Sequence, residues 1–309
     1  MFGAMSPGIQ VRCPDLAVRR HVRSWLQEGR VSPPVPLSIE ILLQESAPPQ
    51  DGAKVVFQQP GVSIRLHPLD GRLSITWETA PAVAEFRPGE ACARVVLSPE
   101  AVERIEESTR TFFLTVLIFL LRRAGWHHVH GGTAVDHKGR GWLFAGDSRS
   151  GKSTTTALLC SRGWAVGTDD IAFLAPAGEG VEVRAFRSRI ALRSGGRDLL
   201  AQAGGVPLPA RGKVGFWPDE LGGNWVPTVT PEIVIFTTVA GDRTQVQRLG
   251  PGETLAHLVR WSAWVVVEPE LAAEHLGLIS RLGRQSRAYQ VSLGRDLFRH
   301  PDLLSELIP

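Results

Sequence analysis

The sequence predicts an α/β protein in which a smaller β-rich domain, residues 1–100, precedes a P-loop domain, residues 101–309. Three observations carry this reading. The first hundred residues alternate apolar and polar positions between Pro, Gly and Asp turns. A G-x-x-x-x-G-K-S loop stands between a short apolar run and a helical stretch. From Trp126 onward, short apolar strands alternate with Gly-rich turns, with one clear helix after the loop.

In the first domain, PLSIEILL, AKVVFQQ, VSIRLHP, LSITWE and ARVVLS read as strands, with Pro60-Gly61, Asp70-Gly71 and Pro88-Gly89 as turns. An antiparallel sheet or small β-domain is expected, serving as scaffold or in partner recognition. A helix follows, with Ser98 as N-cap, Pro99 in the first turn and Gly125 as the stop. Arg122 and Arg123 suit its negative end. Its apolar run, 112–121, falls short of the roughly 20 residues that cross a bilayer, so a buried helix is expected. The domain boundary is placed near residue 100.

Composition bounds the function. Of 309 residues, 43% are hydrophobic and 21% charged, which suits a globular core. The net charge of +3 is spread along the chain, with no Lys/Arg block to track a nucleic acid. Cys13, Cys92 and Cys160 are far apart and form no CxxC pair, against a disulfide framework or zinc site. Reducing, cytoplasmic surroundings fit best. The N-terminus lacks the apolar core of a signal peptide. Neither a nucleic-acid nor a membrane partner is expected, and a homo-oligomer is compatible with everything read here.

The loop itself is Gly146, Asp147, Ser148, Arg149, Ser150, Gly151, Lys152 and Ser153, after the buried strand GWLFA. Glycines let successive backbone N–H groups curl inward around phosphate oxygens. The helix beginning near Lys152 adds its positive end. Lys152 brings an ammonium to the β- and γ-phosphates, and the Ser153 hydroxyl can hold Mg²⁺. Thr154 completes the nucleotide-binding set. The helix is expected to end at Gly163.

The strand 164–168 then leads into Asp169-Asp170. An acidic residue at a strand end beside a P-loop can hold the metal, and a second can take the proton from an attacking hydroxyl. Neighbouring side chains on a strand face opposite ways, so the two should divide the tasks unless the backbone bends.

The segment 130–174 resembles the catalytic core of bacterial HPr kinase/phosphorylase and its relatives. His130-Gly131 precedes the loop, the loop opens Gly146-Asp147-Ser148, Arg162-Gly163 closes the helix, and Asp169 follows Lys152 at the family's spacing. The resemblance implies a fold like that of phosphoenolpyruvate carboxykinase, with a mixed sheet. It implies ATP and Mg²⁺ as cofactors and phosphoryl transfer to the serine hydroxyl of a peptide or protein. Lys152 would hold the phosphates and Ser153 the metal. Asp169 and Asp170 would share metal binding and proton abstraction, with Asp169 assigned to the metal, and His130 would lie close to them. AYQVSLGRDL (288–297) weakly resembles the closing strand of shorter relatives found beside peptide-modifying enzymes, some of which phosphorylate ribosomal precursor peptides. The family's Glu-x-Arg-Gly-x-Gly signature is absent, since RSRIALRSGGR (187–197) has no glutamate.

Other residues have more than one reading. His127 and His130 have a spacing that could bind metal, but packing or surface roles are more usual for such histidines. Arg211 and Lys213, in a Gly/Pro-rich loop, could offset transition-state charge or simply be solvated. Trp217, Trp225, Trp261 and Trp264 read as core. Two rival functions remain: a regulator that binds nucleotide without transfer, and a small-metabolite kinase.

Overall fold

Turn residues between alternating apolar runs build the first sheet. The computed structural model describes residues 8–45, 52–193, 206–208 and 212–308. It divides into two compact units, Met1–Trp126 and His127–Pro309.

The first unit contains β1 (Ile9–Arg12), α1 (Leu16–Glu28), β2 (Leu37–Leu43), β3 (Lys54–Gln59), β4 (Val62–Leu66), β5 (Leu73–Trp77), β6 (Ala82–Phe86) and β7 (Cys92–Leu97). The strands form a seven-stranded sheet in the order β1-β2-β7-β6-β5-β4-β3. The pairs β1–β2 and β2–β7 are parallel, so the sheet is mixed rather than purely antiparallel. Period-2 burial gives it an inner face that includes Ile39, Ile41, Ile75, Trp77, Phe86 and Val95.

The helical stretch after Ser98 is segmented: α2 (Pro99–Glu103), α3 (Ile105–Ser108), a π-helical turn (Thr109–Phe113) and α4 (Leu114–Arg122). Ser98 does cap it, accepting from Ala101 N at 3.2 Å. The helix breaks at Arg104, which leaves helical geometry (φ −102°, ψ 25°) while its guanidinium pairs with Glu107 at 2.8 Å. Phe112 stacks on Trp77 and Phe119 packs against Phe86, both at 6.3 Å between ring centroids. This stretch therefore belongs to the first unit. The units divide after Trp126, well beyond residue 100.

The second unit is built on a ten-stranded mixed sheet. Its strands are β8 (His127–Val135), β9 (Gly141–Ala145), β10 (Ala165–Thr168), β11 (Ile171–Ala177), β12 (Gly180–Ala185), β16 (Asn224–Trp225), β17 (Thr228–Val229), β18 (Pro231–Val239), β19 (Gln245–Arg248) and β20 (Arg287–Leu293). The main path runs β17-β12-β11-β8-β9-β18-β20-β19, and β10 joins β8 to β16. Strands β9, β18 and β20 are parallel, whereas β8 runs antiparallel to β9 and β11. A three-stranded sheet, β13 (Ile190–Leu192), β15 (Val214–Phe216) and β14 (Val206–Pro207), accompanies it. This is the α/β class with a mixed sheet that the sequence predicts.

The central strands are buried on both faces, which is why GWLFA is apolar throughout. On one face Trp142, Phe144, Ile233 and Ile235 pack with α5 (Lys152–Cys160) and β13. On the other, Leu143, Ala145, Val234 and Phe236 pack under α6 (Pro251–Arg260) and α7 (Pro269–Gln285). Short helices α8 (Asp296–Arg299) and α9 (Leu303–Leu307) close the chain. The expectation of one clear helix after Trp126 is thus corrected. Buried His275, Leu278, Ile279 and Leu282 recur at helical spacing in α7.

The reading of residues 1–100 as strands and turns is corrected as well. Asp15 caps α1, accepting from Val18 N at 2.9 Å, and Val18, Val22 and Leu26 bury one face of it. Among the described residues, no helix is long and apolar enough to cross a membrane.

Candidate functional site

Strand β9 stops at Ala145, and the chain turns through Gly146–Gly151 into α5. Gly151 has φ 96°, in the left-handed region that strains any side chain, and a Cβ there would also crowd Leu293 Cδ1 at 2.6 Å. Arg149 is also left-handed, at φ 70°, an uncommon state for a residue with a Cβ, and it is exposed with Asp147 and Ser148. Ser150 is buried, and its hydroxyl meets that of Thr237 at 2.8 Å, tying the loop to β18. Among the described residues no side chain caps the start of α5, which leaves its first N–H groups for a ligand.

Lys152 folds back over this loop. Its Nζ donates to the carbonyls of Gly146 and Asp147, at 2.8 and 2.9 Å. Burial pushes its pKa down, opposed by the nearby carboxylates of Asp170, Asp169 and Asp147. Ser153 and Thr154 follow on the first turn of α5, both half-buried.

The carboxylate pair sits where β10 ends and the chain bends into β11. The Thr168 hydroxyl accepts from Ile171 N at 3.1 Å, fixing that bend. Asp169 points inward at 3% exposure, and its Oδ2 accepts from Ala191 N at 3.1 Å. The Ser153 side chain, on the first turn of the P-loop helix, lies close enough to pull the Asp169 pKa down. Burial, then the charge of Asp170, outweighs this and raises the Asp169 pKa to about 6. Asp170 points outward, with 55% of its side chain exposed, and its Oδ1 lies 3.1 Å from His130 Nδ1. Burial lowers the His130 pKa, against the opposing pull of Asp170.

The His130-Gly131-Gly132 run explains how β8 reaches this pair. A Cβ on Gly132 would stand 3.2 Å from the Asp169 backbone, and one on Gly131 only 2.8 Å from Phe144 O. Glycines at both positions let β8 pass between β9 and the carboxylate turn. His130 N also donates to Trp261 O at 2.9 Å, which anchors the histidine from α6's end.

The structure thus brings together Lys152, Ser153, Asp169, Asp170 and His130. It does not gather the three histidines. His127 stacks on His275 at 4.8 Å, and His128 accepts from Trp264 Nε1 at 3.1 Å. Lys213 lies near enough for its charge to act on Asp169, His130 and Lys152. Arg211 lies outside the described residues. Two contributors escape sequence reasoning. Thr237 carries no motif, and Arg260, 3.5 Å from Asp147, reaches the loop only through folding. Trp217 departs from the expected core role, being half-exposed under two arginines.

Among the described residues no cluster of three or more His, Cys, Asp or Glu could hold a metal alone. A hydroxyl and a carboxylate near each other, Ser153 and Asp169, are instead the hard oxygen donors that suit Mg²⁺ when phosphate oxygens complete its shell.

No protein-family model matches this chain, and no curated protein matches it. Among solved structures it is similar to the Hpr(Ser) kinase/phosphatase from Coxiella burnetii, at 13% identity and a TM-score of 0.29, over 58% of this chain and 99% of that one. At such a score the fold assignment rests on the topology of the sheet alone.

Proposed function

We propose that the chain is an ATP-dependent kinase that transfers the γ-phosphoryl group to a serine hydroxyl of a peptide or protein. One observation carries the reading: a capless helix start and a folded-back lysine converge with two carboxylates of opposite exposure. Backbone N–H groups of 146–153 and the Lys152 ammonium receive the triphosphate. Ser153 and Asp169 would hold Mg²⁺, which offsets phosphate charge when bound.

Asp170 takes the proton of the attacking serine. Its oxygens are accessible, and His130 fixes the orientation of one. The serine oxygen forms the new bond to phosphorus as the bond to the β-phosphate oxygen breaks, and ADP leaves with that electron pair. Lys213 and the loop amides face the charge that builds on the transferring group. The resemblance in segment 130–174 supports serine as acceptor and ATP as donor.

Lys152→Ala removes the ammonium while leaving the loop backbone. Incubated with γ-labelled ATP and serine peptides, the variant should lose label transfer while its circular-dichroism spectrum still reports the folded protein. Transfer persisting at the wild-type rate would refute the proposal.

A further inference from the structure

A second basic surface lies beside the carboxylate pair, and the nucleotide-binding residues make no use of it. The segment 186–191 runs along residues 169–171: Phe186 N donates to Ile171 O at 3.4 Å, and Ala191 N to Asp169 Oδ2 at 3.1 Å. Between these anchors, Arg187 and Arg189 lay their guanidinium groups over the Trp217 ring, at 4.0 and 4.6 Å. Trp217 is held there by its neighbour, because Phe216 pairs with Ile190 across β13 and β15.

The two arginines differ in charge balance. Arg189 is matched by Glu220 at 3.1 Å, and Glu220 is itself fixed by Trp217 N at 2.7 Å. Arg187 is half-buried and has no ion pair among the described residues. A stacked guanidinium keeps its edge donors for a planar anion, and stacking removes much of the entropy that binding would otherwise lose. A partly desolvated cation without a counter-charge is a standing demand for an anion. Nucleotide phosphates are already addressed by the loop amides and Lys152, at the end of β9. Arg187 instead follows Phe186, whose N–H bonds Ile171 O at the end of the carboxylate turn, the side from which the acceptor hydroxyl must come.

We propose that Arg187, propped on Trp217, binds a carboxylate of the phosphate acceptor, so that the enzyme selects serines within acidic peptide segments. This rests on the kinase reading of the same site. Arg187 acts as a specificity residue and takes no part in the transfer chemistry.

The test is fluorescence anisotropy with labelled peptides carrying one serine flanked by Asp, by Ala or by Lys, in Mg²⁺ and the non-hydrolysable analogue AMP-PNP. The full-length protein should bind the Asp-flanked peptide about tenfold more tightly than the Ala-flanked one, and the Lys-flanked one least. Arg187→Ala should remove that preference while leaving AMP-PNP affinity and melting temperature unchanged. Arg187→Lys, which keeps the charge and loses the fork, should fall between. Equal binding of the three peptides overturns the proposal. So does an Arg187→Ala variant that keeps the preference, or one that loses AMP-PNP affinity instead. Acidic preference without label transfer in the ATP assay would sink the kinase reading and leave the recognition intact.

Discussion

Asp169 and Asp170 are neighbours in the chain and opposites in surroundings, and their division of labour follows from that. Asp169 is buried and held by Ala191 N, which leaves it no freedom to follow a proton. Asp170 is exposed and oriented by His130. Asp170→Asn should therefore lower transfer by roughly 10²–10⁴-fold with Mg-ATP affinity retained, whereas Asp169→Asn should weaken Mg-ATP itself. Single-turnover rates and nucleotide titrations separate the two; the reverse pattern would exchange the roles. The raised pKa of Asp169, about 6 from an ordinary value near 4, has a second consequence. Between those values the folded form keeps a proton that the unfolded chain has released, so stability falls as pH rises from about 4 to about 6. Above that window, ionised Asp169 works against the metal-free fold by on the order of 3 kcal/mol. With EDTA present, Asp169→Asn should melt higher than wild type at pH 8 and nearly alike at pH 4.5. A variant no more stable at pH 8 would contradict the role given to burial.

At the scale of elements, the hairpin of β8 and β9 delivers the P-loop, and Asp136 holds its turn. One carboxylate oxygen accepts from the Lys138 and Arg140 amides, both at 2.9 Å. The other accepts from Arg140 Nε at 2.8 Å and Trp142 Nε1 at 3.1 Å. Burial alone would raise the pKa of Asp136, but these bonds outweigh it and hold it below the usual carboxylate range. A depressed folded pKa gives stability that is present above about pH 4 and lost in stronger acid. Asp136→Ala should cost about 3 kcal/mol in urea unfolding at pH 7, since it strands four donors, and clearly less at pH 3. An equal loss at both values would mean that the charge is irrelevant. This hairpin is legible in the sequence, because a strand buried on both faces is apolar throughout and the loop after it has a fixed pattern. Helix α1 is legible in principle, through Asp15 and the spacing of Val18, Val22 and Leu26, but its many arginines mask the apolar face. The contact of Ala191 N with Asp169 is not legible: it joins distant segments through a backbone group, which no side-chain pattern encodes.

Taken whole, the molecule has two compact units, each built on its own large sheet, and composition shows the change between them without showing where it falls. A new helix at Ser98 looks like the start of a domain, yet a helix belongs to whichever sheet buries its apolar face. Here Phe112 meets Trp77 and Phe119 meets Phe86, so the helices up to Arg122 complete the first core. Pairings so far apart in sequence leave no local signature, which is why the boundary is misread while the fold class is not. The assignment can be tested by hydrogen exchange. Phe119 is fully buried, and Phe119→Ala should remove on the order of 3–5 kcal/mol from the core it belongs to. Amides of β5, β6 and β7 should then exchange faster, because their protection depends on that core. Amides of β8, β9 and α5 should keep their wild-type protection, and Mg-ATP should still slow exchange at residues 146–155. If protection instead falls first in β8 and β9, the helix belongs with the second sheet, and the boundary near residue 100 is restored.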